Sequence, residues 1–168
     1  LLILLQSFAI LLALMTITTH ATLGAVIGAS TGNIWIAFLI GFASHFLIDI
    51  IPHGDRELYE GHKTKTAVKR AYRFVTIDAL VAVIVLALMF GLSPHQGMNA
   101  VIAAGVIGSV LPDLIVGIHE AWNPKKLDLF SKIHFFFHNM ISDRIGDVRL
   151  RNALIGQAVF IIALQKFF

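Results

Sequence analysis

Residues 45–55 read His-Phe-Leu-Ile-Asp-Ile-Ile-Pro-His-Gly-Asp, and they end an otherwise apolar run of membrane length. His45 and Asp49 are four residues apart, so on a helix they lie one turn apart on one face and can reach a single ion or water. Pro52 is expected to end that helix, because it has no N–H to donate and disfavours a helical residue before it. His53 and Asp55 then fall in the turn beyond, where the chain can fold back over the same spot.

The composition around this stretch sets the class. The 168-residue chain is 57% hydrophobic and only 14% charged, with a mean hydropathy of +0.82, far from the balance of a soluble domain. A single all-α domain is expected, a polytopic bundle of about five to six transmembrane helices packed in lipid. The absence of cysteine excludes disulfides, thiolate metal sites and cysteine nucleophiles. Any metal must therefore be held by His, Asp and Glu, a set that suits zinc, manganese or iron.

The net charge of +3 comes from basic residues grouped at 56–73 and 125–151, with Lys166 alone beyond them. Clusters beside apolar segments are first a topology signal. No basic stripe with interleaved aromatics stands clear of them, so nucleic acid is not an expected partner.

In chain order, residues 1–17 form an apolar run broken by Gln6 and Ser7, read as an additional helix or a signal-like segment. Thr18 and Thr19 can cap a helix opening at His20, on which Gly24 and Gly28 make a small-xxx-small contact face. A turn at Ser30-Thr31-Gly32-Asn33 leads to a helix over 34–51, and a basic polar segment over 56–73 follows. Residues 74–92 are the cleanest membrane segment, with Asp78 one turn inside. Residues 98–111 carry Gly105 and Ser109 as a second small face and are expected to stop at Pro112-Asp113. An aromatic-rich helix over 127–141 places His134 and His138 four apart, and 148–168 closes the chain.

Alternate helix starts and ends lie on the same side of a bilayer. His20, His45, Asp49, Asp78 and Asp113 are therefore expected at one depth, with the basic segments on their side; the positive-inside rule makes that side cytoplasmic. His134 and His138 can cover them. Each of these residues taken singly has a bland explanation at a solvated helix end, such as Asp78 as a first-turn acid. Together, ionisable groups within apolar segments point to a site. The candidate metal ligands are His20, His45, Asp49, His53, Asp78, His134 and His138, with Asp55 and Asp113 as candidate catalytic carboxylates. His62 and His95 read as solvated or turn residues, and His119 and Glu120 read equally as outer ligands or surface residues. No Gly-x-Ser-x-Gly elbow or phosphate-binding glycine loop is present.

Such a cluster can bind one or two divalent ions, zinc first among them, and lower the pKa of a bound water to give a hydroxide nucleophile. Lys63, Lys69, Arg70 and Arg73 can attract an anionic headgroup, making lipid or lipid-linked phosphoesters the natural substrates. The rival reading is a non-enzymatic membrane protein that uses the cluster for protons or divalent cations, and a third is a structural membrane subunit.

His20-Ala-Thr-Leu-Gly24, the block Gly41 to Asp55, Leu111-Pro112-Asp113 and His134-Phe-Phe-Phe-His138 together resemble the bacterial inner-membrane proteins classed as membrane-bound metal-dependent hydrolases. The resemblance covers about residues 18–141, with 41–55 its most specific part. It implies a metal site at His20, His45, Asp49 and Asp113, extending to His53 and His134, in a helical fold loosely similar to zinc-dependent phospholipase C. The apolar segment before His20 departs from the pattern.

Overall fold

A computed structural model describes residues 16–54, 65–92, 97–122 and 124–168. These residues are all-helical, with no strand among them. The helices are α1 (Ile17–Thr31), α2 (Ile34–Asp49), α3 (Lys65–Leu92), α4 (Asn99–Trp122), α5 (Asp128–Asn139), the short α6 (Ser142–Ile145) and α7 (Leu150–Leu164); 3₁₀ turns at Lys125–Leu127 and Gln165–Phe167 precede α5 and follow α7.

The turn between α1 and α2 is closed by local chemistry. Gly32 takes the left-handed conformation, φ +64°, that ends a helix without a Cβ penalty. Asn33 then caps α2, its Oδ1 accepting from the backbone N–H groups of Trp35 at 2.9 Å and Ile36 at 3.1 Å. The result is a helical hairpin that brings the start of α1 beside the end of α2.

α4 packs most extensively of all, against both α1 and α2, while α1 also touches α3 and α7. The small residues read from the sequence make that approach possible. A Cβ on Gly105 would overlap the Gly24 carbonyl, one on Gly24 would overlap Ser109 Oγ, and one on Gly108 would overlap the Phe38 carbonyl. The two small faces, Gly24/Gly28 and Gly105/Ser109, are thus one interface.

The interior is unusually polar. Ala25, Val26, Met89, Ile102 and Leu164 form an apolar cluster. Thr18, Thr19, Thr22, His20, His45 and Ser109 are among the largest fully buried side chains. Large apolar side chains instead cover the outside, among them Leu39, Leu47, Ile77, Leu80, Val83, Ile84 and Leu88. Segments Lys69–Leu92 and Asn99–Trp122 are long and apolar enough to cross a membrane, and Ile34–Asp49 is apolar but shorter. These are the two helices of spanning length among the described residues, against five to six transmembrane helices expected for the whole chain.

Three boundaries differ from expectation. α1 begins at Ile17 with Thr16 extended before it, so His20 lies inside the first turns and Thr18 and Thr19 do not cap. α2 ends at Asp49, before Pro52. α4 does not stop at Pro112 but carries it as an interior, fully buried residue and runs on to Trp122. A proline in a helix removes one backbone bond and crowds the preceding turn; here α1 and α2 pack against that helix and hold its course.

Candidate metal centre

Four helices deliver the site. The hairpin sets His20 of α1 against His45 and Asp49 of α2, α4 supplies Asp113, and α5 supplies His134. His45 Nε2 stands 3.0 Å from Asp49 Oδ2 and 3.5 Å from Asp113 Oδ1. His134 Nε2 stands 3.7 Å and 3.8 Å from the same two oxygens. These four residues each offer one ligand atom, all within 4.8 Å of one another. His20 Nε2 lies 3.1 Å from Asp49 Oδ1 and 3.9 Å from Asp113 Oδ2, and its ring stacks on that of His45 at 4.1 Å.

The backbone of α4 fixes the tautomer of His45. Pro112 leaves the Gly108 carbonyl without its usual helical donor, and the neighbouring Ser109 carbonyl accepts from His45 Nδ1 at 2.8 Å. A carbonyl only accepts, so Nδ1 carries a proton, and in the neutral imidazole Nε2 then presents its lone pair to the cluster. Ser109 also donates its hydroxyl to the His20 carbonyl at 2.7 Å. One serine thereby anchors both histidine-bearing helices. It was not singled out for this from the sequence, although it sits one turn before Asp113 on the same face.

The residues fit a divalent cation on three grounds. His45 Nε2 and Asp49 Oδ2 are both buried without a hydrogen-bond partner although they face one another, an arrangement that leaves two acceptors unsatisfied in the protein alone. Zinc bonds of 2.0–2.1 Å at tetrahedral angles separate ligand atoms by about 3.3 Å, in the range of the spacings here. Burial holds the His134 imidazole below its ordinary titration range, against the pull of Asp113 and Asp49, and so favours the neutral ring that a metal requires. Asp113 is the open side: its side chain is 31% exposed, whereas Asp49 is at 3%, so solvent reaches the cluster past Asp113.

Other candidates lie elsewhere. His53 and His138 face one another, Nε2 to Nε2 at 3.0 Å, with the His138 ring 5.9 Å from that of His134, His53 Nδ1 donating to the Ile51 carbonyl and His138 Nδ1 beside Asn139 Oδ1. The loop carrying His53 is held by Asp147, whose Oδ1 accepts from Gly54 N and Val148 N, both at 2.8 Å. Nothing local in the sequence pairs residues so far apart. Asp78, expected with the ligands, does not join them. Its Oδ1 accepts the Thr18 hydroxyl at 2.6 Å, so it ties α3 to α1. Asp113, read as a catalytic carboxylate from the residues and as a ligand by resemblance, lies among the candidate ligands. His119 bridges Asp128 at 3.0 Å and fastens the end of α4 to the start of α5. Asp55, His62 and His95 lie outside the described residues, as do 1–15.

No protein-family model, curated protein or solved structure matches this chain. The site therefore rests on its own geometry. Asp78→Ala is expected to leave metal content unchanged while loosening the contact between α1 and α3 by about 1 kcal/mol, the size of one lost hydrogen bond; elemental analysis beside a thermal melt reads both.

Proposed function

We propose that the protein is an integral membrane metal-dependent hydrolase whose centre is formed by His45, Asp49, Asp113 and His134, acting on phosphoesters presented by the bilayer. The observation that carries this reading is the convergence of two imidazoles and two carboxylates, from three helices, with ligand atoms within 4.8 Å of one another and the buried His45 Nε2 and Asp49 Oδ2 without hydrogen-bond partners. Zinc is the ion that best suits this donor set.

The inverted surface supports residence in lipid. Contiguous exposed apolar surface on this scale is costly in water, and a polar, small-residue interior is how helices associate where lipid is as apolar as leucine. Trp35 at the start of α2 and Trp122 at the end of α4 are both highly exposed and lie at opposite ends of the bundle, as interfacial tryptophans do. The Thr18–Asp78 bond sets Asp78 level with the first turn of α1, so α3 projects beyond the site end with Lys69, Arg70 and Arg73 exposed on it. Cations there favour anionic headgroups and a cytoplasmic orientation for the site.

Asp49, buried, and Asp113, at the open side where water and substrate would arrive, would hold an ion, which would supply a water of lowered pKa and polarisation of a phosphoryl oxygen. Hydrolysis of phosphatidic acid and of a polyprenyl pyrophosphate by protein reconstituted in vesicles tests the proposal. Zinc-loaded wild type is expected to release phosphate and His134→Ala to lose at least about 100-fold. Equal release by wild type and His134→Ala would sink the hydrolase reading.

A further inference from the structure

The contacts around the two carboxylates divide into two sets that share no oxygen. Asp49 Oδ2 and Asp113 Oδ1 face His45 and His134. Asp49 Oδ1 and Asp113 Oδ2 face His20, at 3.1 and 3.9 Å. Each carboxylate thus turns one oxygen to each set, which is the geometry of a bridging ligand. The imidazoles that head the two sets, His20 and His45, are stacked with centroids 4.1 Å apart and planes within 22°, and their Nε2 atoms face the two oxygens of one carboxylate, Asp49 Oδ1 and Oδ2. Paired metals in hydrolytic sites lie about 3.5–4 Å apart, which is close to the ring spacing.

We propose that the centre takes two divalent cations, the second held by His20 Nε2, Asp49 Oδ1 and Asp113 Oδ2, and that this pair selects a phosphate-bearing anion. The inference rests on the metal reading of the site and extends it. Two carboxylates balance one divalent ion; a second leaves two positive charges in a buried place, and these call for an anion. The open side at Asp113 is where that anion enters, and a phosphoryl group can place one oxygen on each ion. If His20 instead only donates its Nε2–H to Asp49, one ion suffices and no anion is required.

Mn²⁺ titration of chelator-stripped, detergent-purified protein, followed by electron paramagnetic resonance, distinguishes the two. Wild type is expected to bind two equivalents with a spin-coupled spectrum, and inorganic phosphate is expected to tighten the second by about tenfold. His20→Ala is expected to bind one equivalent with an uncoupled spectrum; should that variant fail to fold, the wild-type spectrum decides alone. A single uncoupled equivalent in wild type overturns the second site and leaves the metal hydrolase standing. No binding at all overturns both.

Discussion

Asp49→Asn is expected to weaken zinc binding by at least about 100-fold, the upper end of what even an outer partner of a metal ligand contributes. The substitution keeps the shape of the side chain and removes its charge. Asp49 lies within 3.7 Å of three imidazoles, those of His20, His45 and His134, and the neutral amide would offer one oxygen where the carboxylate offers two. The fold is expected to persist, because the carboxylate is held by the histidines and not by any helix-end or backbone contact. Competition against a zinc-sensitive chelator dye reads the affinity, and circular dichroism reads the fold. Unchanged zinc affinity in a folded variant would place the ion somewhere other than between α2, α4 and α5.

Gly105→Leu is expected to have the largest effect on stability. A Cβ at this position would overlap the Gly24 carbonyl and press on the Gly28 backbone, and backbone cannot swing aside as a side chain can. Overpacking ordinarily costs about 1–3 kcal/mol; a leucine between α1 and α4 is expected to reach or exceed that range and to separate His20 from Asp113. Gly117, on the same helix with nothing within 4 Å of its would-be Cβ, is the control. Gly117→Ala is expected to be neutral or stabilising by about 0.5–1 kcal/mol, through helix propensity. Thermal unfolding in detergent compares the two, and similar melting temperatures would contradict close packing along the glycine face.

The sequence made the helical class readable because hydropathy and small-residue spacing are local signals. Gly24/Gly28 and Gly105/Ser109 were each visible as contact faces; that they contact one another follows from the α1–α2 hairpin, which Gly32 and Asn33 close. His45 and Asp49 were readable as an i, i+4 pair, and the alternation of helix ends placed His20 and Asp113 near them. Asp78 misled because alternation gives depth along the bundle and not azimuth around it: its helix turns the carboxylate to Thr18. Pro112 misled because a breaker rule weighs one lost backbone bond and cannot see α1 and α2 packed against that helix. The roles of Ser109 and Asp147 depend on contacts between residues far apart in sequence, and no local pattern carries those.

Metal content of wild-type protein purified in detergent, measured by elemental analysis before and after chelation and reloading, tests the central claim most directly. At least one zinc-class ion per chain is expected, removed by chelator, restored on reloading, and absent from His45→Ala. A folded wild type that is free of metal and takes none up on reloading would contradict the account and leave the cluster as a hydrogen-bonded network within a structural membrane protein.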